Sequence, residues 1–242
     1  MWKSIRQELT VQRNLFGYSL GMTLASWIVG VAIMTVVQAI GKETTDQYFC
    51  LGSVLALMVG EIVNVILGVM VIYQGFDDAV HMGKTRKRFL PSVTLVIFLA
   101  VLLSLAATAI LIHGEYALYH AWFPNLVRKP GPEGYLTPPW LVCCAAAITG
   151  LCCLFGGIVK ANRKVGGVAS LIVWVTLCWS IGGIGGVDEG EGAFFGMFSY
   201  LGYAVSVWFG SLAVPVRLGL LMALGLAGFG LMYKLLIGRA SD

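Results

Sequence analysis

The sequence predicts an all-α integral membrane protein: six transmembrane helices, an N-terminal amphipathic elbow helix before them, and an outer helical segment between spans five and six. Three observations predict it. The 242 residues are 58% hydrophobic and 12% charged, about half the charge of an average soluble domain and too little to coat a globule with solvated surface. The apolar residues gather into runs long enough to cross roughly 30 Å of hydrocarbon, for which about 20 helical residues suffice. The basic residues collect in alternate connections between those runs. A soluble enzyme, a disordered tail, a collagen-like rod and a disulfide-stapled secreted domain are excluded. Residues 1–242 read as one transmembrane domain.

The six runs are Phe16 to Ile40, Phe49 to Tyr73, Leu90 to His113, Pro138 to Val159, Val165 to Val187, and Leu212 to Ile237. A seventh apolar stretch, Ala193 to Gly210, is long enough to cross. Ser211 to Arg217, however, leaves almost no loop before the last run. If the seventh stretch crossed, Lys234 and Arg239 would move to the side that is poor in basic residues. It is therefore read as outer-leaflet or re-entrant structure within residues 188–211, which is tolerated where it packs against protein.

Orientation follows from charge. With the N-terminus inside, the inner side holds Lys3, Arg6, Arg13, Lys84, Arg86, Lys87, Arg88, Lys160, Arg163, Lys164, Lys234 and Arg239. The outer side holds only Lys42, Arg128, Lys129 and Arg217. Twelve basic residues against four place both termini in the cytoplasm. Glu43, Asp46, Glu115, Glu133, Asp188, Glu189 and Glu191 fall outside. The net charge of +4 is thus a basic inner face and an acidic outer one, and it implies no nucleic-acid partner.

Residues 1–15 read as an interfacial helix on the inner leaflet. Trp2, Ile5, Leu9 and Phe16 lie near one face, and Lys3, Arg6, Gln7, Glu8 and Arg13 occupy the rest. The long apolar run that follows, with no small-residue cleavage pattern at Gln38 to Glu43, does not suit a signal peptide. The inner connection, residues 74–89, begins with Asp77 and Asp78 and ends on Arg86, Lys87 and Arg88. As one short docking helix it would carry acid early and base late, which suits a helix dipole.

Several chemistries are absent. Gly83-Lys84-Thr85 resembles the end of a P-loop, but the Gly required five residues before that Gly is Asp78, whose carboxylate would repel a phosphate. Cys143-Cys144 and Cys152-Cys153 lie roughly 12–15 Å apart along one helix, too far for one ion and too far to bridge. They behave as small hydrophobes. His113, Glu115 and His120 are the one metal candidate, without a fourth ligand. No nucleophile–base pair is visible, so no catalytic residue, metal or cofactor is expected in this chain.

Other positions carry weight inside the spans. Glu61 is an acidic residue deep in the second run, where a carboxylate costs about 2.5–3.5 kcal/mol at mid-bilayer on insertion scales. Asn64 lies three residues on, on the same face. The pair is either a structural hydrogen-bonding patch or part of a cavity or subunit interface. Gly17, Gly21 and Ala25, and Gly182 with Gly186, recur at four-residue spacing, a pattern that lets helices approach closely. The connection from Gly114 to Thr137 carries Tyr116, Tyr119, Trp122 and Phe123, read as an interfacial aromatic belt or a lid.

The order of parts resembles the membrane subunit of an export-type (type-2 permease) ABC transporter. That family has an elbow helix, six spans, a cytoplasmic coupling helix between spans two and three, outer helical structure before the last span, and its ATPase on a separate chain. The local match is Met82-Gly83-Lys84-Thr85-Arg86-Lys87-Arg88-Phe89, similar to a Gly-x-Thr/Ser-Arg-Lys-x-Phe phrase in small bacterial permeases. The glycine-rich start of the outer segment (Gly182, Gly183, Gly185, Gly186, Gly190, Gly192) departs from the family pattern. The resemblance implies that Asp77, Asp78, His81, Lys84, Thr85, Arg86 and Lys87 dock a cytoplasmic ABC ATPase, which supplies ATP and Mg. It implies that Trp2, Ile5, Arg6, Leu9 and Arg13 form the elbow. A second permease subunit is implied, as a homodimer or a related pair, in a bacterial cell membrane, with an amphipathic peptide or lipid-like substrate. An ion-coupled carrier or channel, and an integral membrane enzyme or assembly factor, are the alternatives.

Overall fold

The computed structural model describes residues 8–40, 47–48, 50–81, 83, 85–124, 127–128, 134, 136–162, 164, 166–168 and 204–238. Five helices among them are long and apolar enough to cross a membrane: α1 (Arg13–Ile40), α2 (Leu51–His81), α3 (Arg86–Trp122), α4 (Pro138–Ala161) and α5 (Val214–Gly238). The protein is therefore an all-α, multi-pass membrane protein. The expected run Val165 to Val187 lies outside the described residues except for positions 166–168, which are helical. Of the stretch Ala193 to Gly210, positions 204–210 are described and helical. Trp2, Ile5 and Arg6 also lie outside the described residues. Residues 8–11 are helical and lead into α1. There Leu9 packs on the main core and Arg13 is exposed.

The helices run further than the apolar runs that announce them. Hydropathy ends where polar residues begin, but a helix ends where its backbone is forced to turn. α2 has 31 residues and α3 has 37, roughly 46 and 55 Å at 1.5 Å per residue. The two are joined by a tight turn at Gly83, whose φ of +72° favours glycine. The expected docking helix over residues 74–89 is accordingly not a separate helix. Asp77, Asp78 and His81 close α2, while Arg86 and Lys87 open α3. At the other end, Gly114 to Trp122 continues α3 instead of forming a loop. Tyr116 and Tyr119 are buried, so they are core and not belt. Trp122 is 51% exposed.

Close contacts give the helix directions. Gly30 meets Gly52 and Gly60 meets Thr23, so α1 and α2 are antiparallel. Gly68 meets Cys152 and Gly156 meets Ile72, so α2 and α4 are parallel. Gly150 meets Gly225 and Gly157 meets Met232, so α4 and α5 are parallel as well. α1 and α3 thus run one way, and α2, α4 and α5 the other. Gln47–Tyr48 (β1) pairs in parallel with Val127–Arg128 (β2), tying two connections together at the far end from Gly83.

Two apolar clusters result. The larger joins α2, α3 and α4 with Met232 and Leu236 of α5; the smaller gathers Val31, Met34, Cys50, Ile112, Tyr116 and Tyr119 near β1 and β2. Hydroxyls inside the helices satisfy themselves on the carbonyl one turn back, as do Ser26 on Met22, Thr35 on Val31 and Thr94 on Leu90, each at 2.8 Å.

The α4–α5 seam yields a direct test. A Cβ on Gly150 would stand 2.5 Å from the Gly225 Cα, whereas one on Gly219 would meet nothing within 4 Å. Gly150→Val is expected to cost about 1–3 kcal/mol of stability through overpacking, read as a lower thermal midpoint in detergent. Gly219→Val should leave that midpoint in place.

Candidate functional site

Two sites emerge, one at the Gly83 end and one inside the bundle. At the Gly83 end, two cations approach the Phe76 ring: Lys160 Nζ and the Arg86 guanidinium each lie 5.5 Å from its centroid. Phe89 meets it edge-on at 6.1 Å. Lys160, in the last turn of α4, also lies 5.1 Å above Tyr73 and pairs with Asp77. Lys160 and Asp77 thus tie the ends of α4 and α2. This leaves Asp78, His81, Thr85, Lys87 and Arg88 exposed at the tip. Lys84 lies outside the described residues.

The charges at this tip oppose the helix dipoles. Acid-before-base holds along the chain, but the turn at Gly83 splits it between two helices. Asp77 and Asp78 therefore stand near the C-terminus of α2, and Arg86, Lys87 and Arg88 at the N-terminus of α3. Each such placement is unfavourable by roughly 0.3–1 kcal/mol at an exposed terminus. The Thr85 side chain does not cap α3. Local helix stability does not account for these charges.

Inside the bundle, Glu61 and Asn64 are brought together as expected, and other helices join them. Asn64 Nδ2 donates to Glu61 Oε2 at 3.0 Å, and Ser104 Oγ of α3 donates to Glu61 Oε1 at 3.1 Å. Ser104 Oγ lies 2.8 Å from Thr23 Oγ1 of α1, and Cys152 Sγ of α4 contacts the Asn64 carbonyl at 3.9 Å. Glu61 is ten residues into α2, or roughly 15 Å along it, half the depth of a hydrocarbon core. Ser104 and Thr23 were not singled out by the sequence. Their hydroxyls look like any helix serine or threonine until the helices are assembled.

Glu115 answers a different need. It is fully buried and turned away from His113 and His120, which are exposed. Its carboxylate accepts the backbone N–H groups of Gly52 and Ser53 at 2.8 and 2.7 Å and the Ser53 hydroxyl at 2.6 Å. It therefore occupies the positive end of α2. The metal candidate dissolves with this, and among the described residues no three His, Cys, Asp or Glu side chains are grouped to hold an ion. The cysteines Cys50, Cys143, Cys144, Cys152 and Cys153 are free thiols.

An apolar cavity of about 330 Å³ opens between α3, α4 and α5, lined by Leu95, Phe98, Met222, Leu226 and Phe229 among others. Thr149 borders it with a buried hydroxyl that has no hydrogen-bond partner among the described residues. It lies beside the Glu61 cluster across α4, since Cys152 faces Asn64 while its neighbour Cys153 lines the cavity. On α1, Gly17 and Gly21 are exposed, and neither would bring a Cβ within 4 Å of another group.

No protein-family profile, curated protein or solved structure matches the chain.

Two substitutions separate the buried anchor from the exposed one. Glu115→Gln removes charge from three hydrogen bonds at the head of α2 and should cost about 1.5–3 kcal/mol. Asp77→Asn breaks a pair whose carboxylate is 57% exposed and should cost about 0–1 kcal/mol. Thermal unfolding of the purified variants in one detergent checks both.

Proposed function

We propose that the chain is the membrane-spanning permease subunit of an ATP-driven ABC exporter, moving an amphipathic peptide or lipid-like substrate by alternating access. The observation that carries this reading is the tip of the α2–α3 hairpin. It presents Asp78, His81, Lys87 and Arg88 outward on an aromatic and ion-paired base, with charges set against both helix dipoles. Charges that local structure disfavours are suited to a partner of complementary pattern. The excess of basic residues on this side supports a cytoplasmic tip. The partner is then a cytoplasmic ATPase that supplies ATP and Mg.

The parallel course of α4 and α5 supports six spans. Two parallel spanning helices end on the same side, so the chain between them recrosses the membrane, and Val165 to Val187 is the run suited to do so. Both termini then lie in the cytoplasm of a bacterial cell, and residues 1–15 form the elbow. The open α1 face at Gly17, Gly21 and Ala25 suits a second copy of the permease. An ion-coupled carrier is the second reading, favoured by the Glu61 cluster alone.

Co-purification tests the docking assignment. The wild-type chain, expressed with an ATPase encoded beside it, should retain that subunit through detergent extraction. Asp78→Lys combined with Lys87→Glu, both at exposed positions, should lower its recovery by on the order of tenfold, equivalent to about 1.4 kcal/mol. A double variant that keeps its ATPase and its stimulated hydrolysis would remove the hairpin from the docking site.

A further inference from the structure

Glu61 Oε1, Ser104 Oγ, Thr23 Oγ1 and the Ser19 carbonyl oxygen form a continuous line of hydrogen bonds across α2, α3 and α1. Its steps are 3.1, 2.8 and 2.9 Å. A hydroxyl has a single proton to donate, so this line has two self-consistent directions. With Glu61 ionised, Thr23 donates to Ser104, Ser104 donates to Glu61, and the Ser19 carbonyl loses the Thr23 bond. With Glu61 protonated, the acid donates to Ser104, Ser104 to Thr23, and Thr23 to Ser19. One proton taken from water reverses the line, and no other atom is exchanged.

We propose that Glu61 is a proton-binding site in the middle of the membrane, read out by the direction of this hydroxyl line. No cation balances the carboxylate: among the described residues neither Lys, Arg nor His is hydrogen-bonded or ion-paired to it. The titratable groups facing it from the packed helices are the thiols of Cys144 and Cys152 on α4; α1 and α3 present the hydroxyls of Thr23 and Ser104. An ionised carboxylate with only neutral donors is poorly compensated in hydrocarbon, and a single proton removes the deficit. The same spacing disfavours a bound metal ion. Every oxygen in the line sits at hydrogen-bonding distance from the next, and Asn64 turns an N–H, not its oxygen, toward Glu61. Asn64 keeps its N–H on Glu61 Oε2 in both directions, and its buried Oδ1 has no hydrogen-bond partner among the described residues. The site stands whichever transport mechanism surrounds it.

An apolar carbodiimide provides the test, because its attack consumes a protonated carboxyl: the acid O–H adds across a C=N bond and leaves a covalent adduct. The full chain in lipid vesicles, in sodium-free buffer, is treated with dicyclohexylcarbodiimide over a pH series and mapped by peptide mass. The expected result is one adduct at Glu61, at least tenfold slower at the alkaline end than at the acid end. Glu115, held on backbone N–H groups, should stay unlabelled. Asn64→Leu removes a donor to the ionised form and should move half-maximal labelling to higher pH. Glu61→Gln should give no adduct. Labelling that is absent at every pH, that ignores pH, or that sodium suppresses at constant pH would each overturn the proposal, the last by assigning the site to a metal cation.

Discussion

Helices already immersed in hydrocarbon gain little by hiding more apolar surface, because lipid tails are as apolar as leucine. What holds this bundle together is close backbone approach and the pairing of polar groups, and its plan follows from where those two are available. Gly30 against Gly52 closes α1 on α2, and Gly150 against Gly225 and Gly228 closes α4 on α5. At these contacts the backbones come near enough for dispersion to act over many atoms. Removing the side chain is what makes that distance accessible. The glycines at these contacts are in this sense packing devices and not a sign of looseness.

The two buried carboxylates illustrate the second means in opposite ways. Glu115 meets a site whose positive character is built into the backbone, the unpaired N–H groups at the head of α2, and the match serves both partners. Among the described residues Glu61 meets only side-chain donors, each of them neutral. Similar residues thus serve as a structural anchor in one place and as a reactive group in the other. The difference lies in what the neighbouring helix presents: its end or its flank.

The membrane class, the positions of five spans and the pairing of Glu61 with Asn64 were legible in the sequence because each is local. Length and hydropathy reveal a span, and a three-residue offset reveals a shared helix face. The extent of α2 and α3 was not legible, since polar helix beyond the apolar run has no hydropathy signature. That hid the hairpin geometry and made Asp77 to Lys87 look like one helix. Glu115 was read as a surface acid because its partners, Gly52 and Ser53, lie more than sixty residues earlier. Its signal was the helix start at Leu51, which lacks a carboxylate in its own first turn. Ser104 and Thr23 offered no such hint, because their roles exist only across helices.

The Gly83 hairpin and the Glu115 anchor, taken together, set the mechanics of the molecule. α2 and α3 are joined covalently at one end, cross-linked by Ser104 and Glu61 at the middle, and pinned by Glu115 to Ser53 at the other. Three fastenings along two antiparallel rods forbid sliding and leave the pair to move as one stiff lever. A force applied at the tip must then appear as tilting of the whole pair. The displacement falls on the seams with fewer clasps, the α1 flank, held through Thr23, and the α4–α5 unit, held through Lys160.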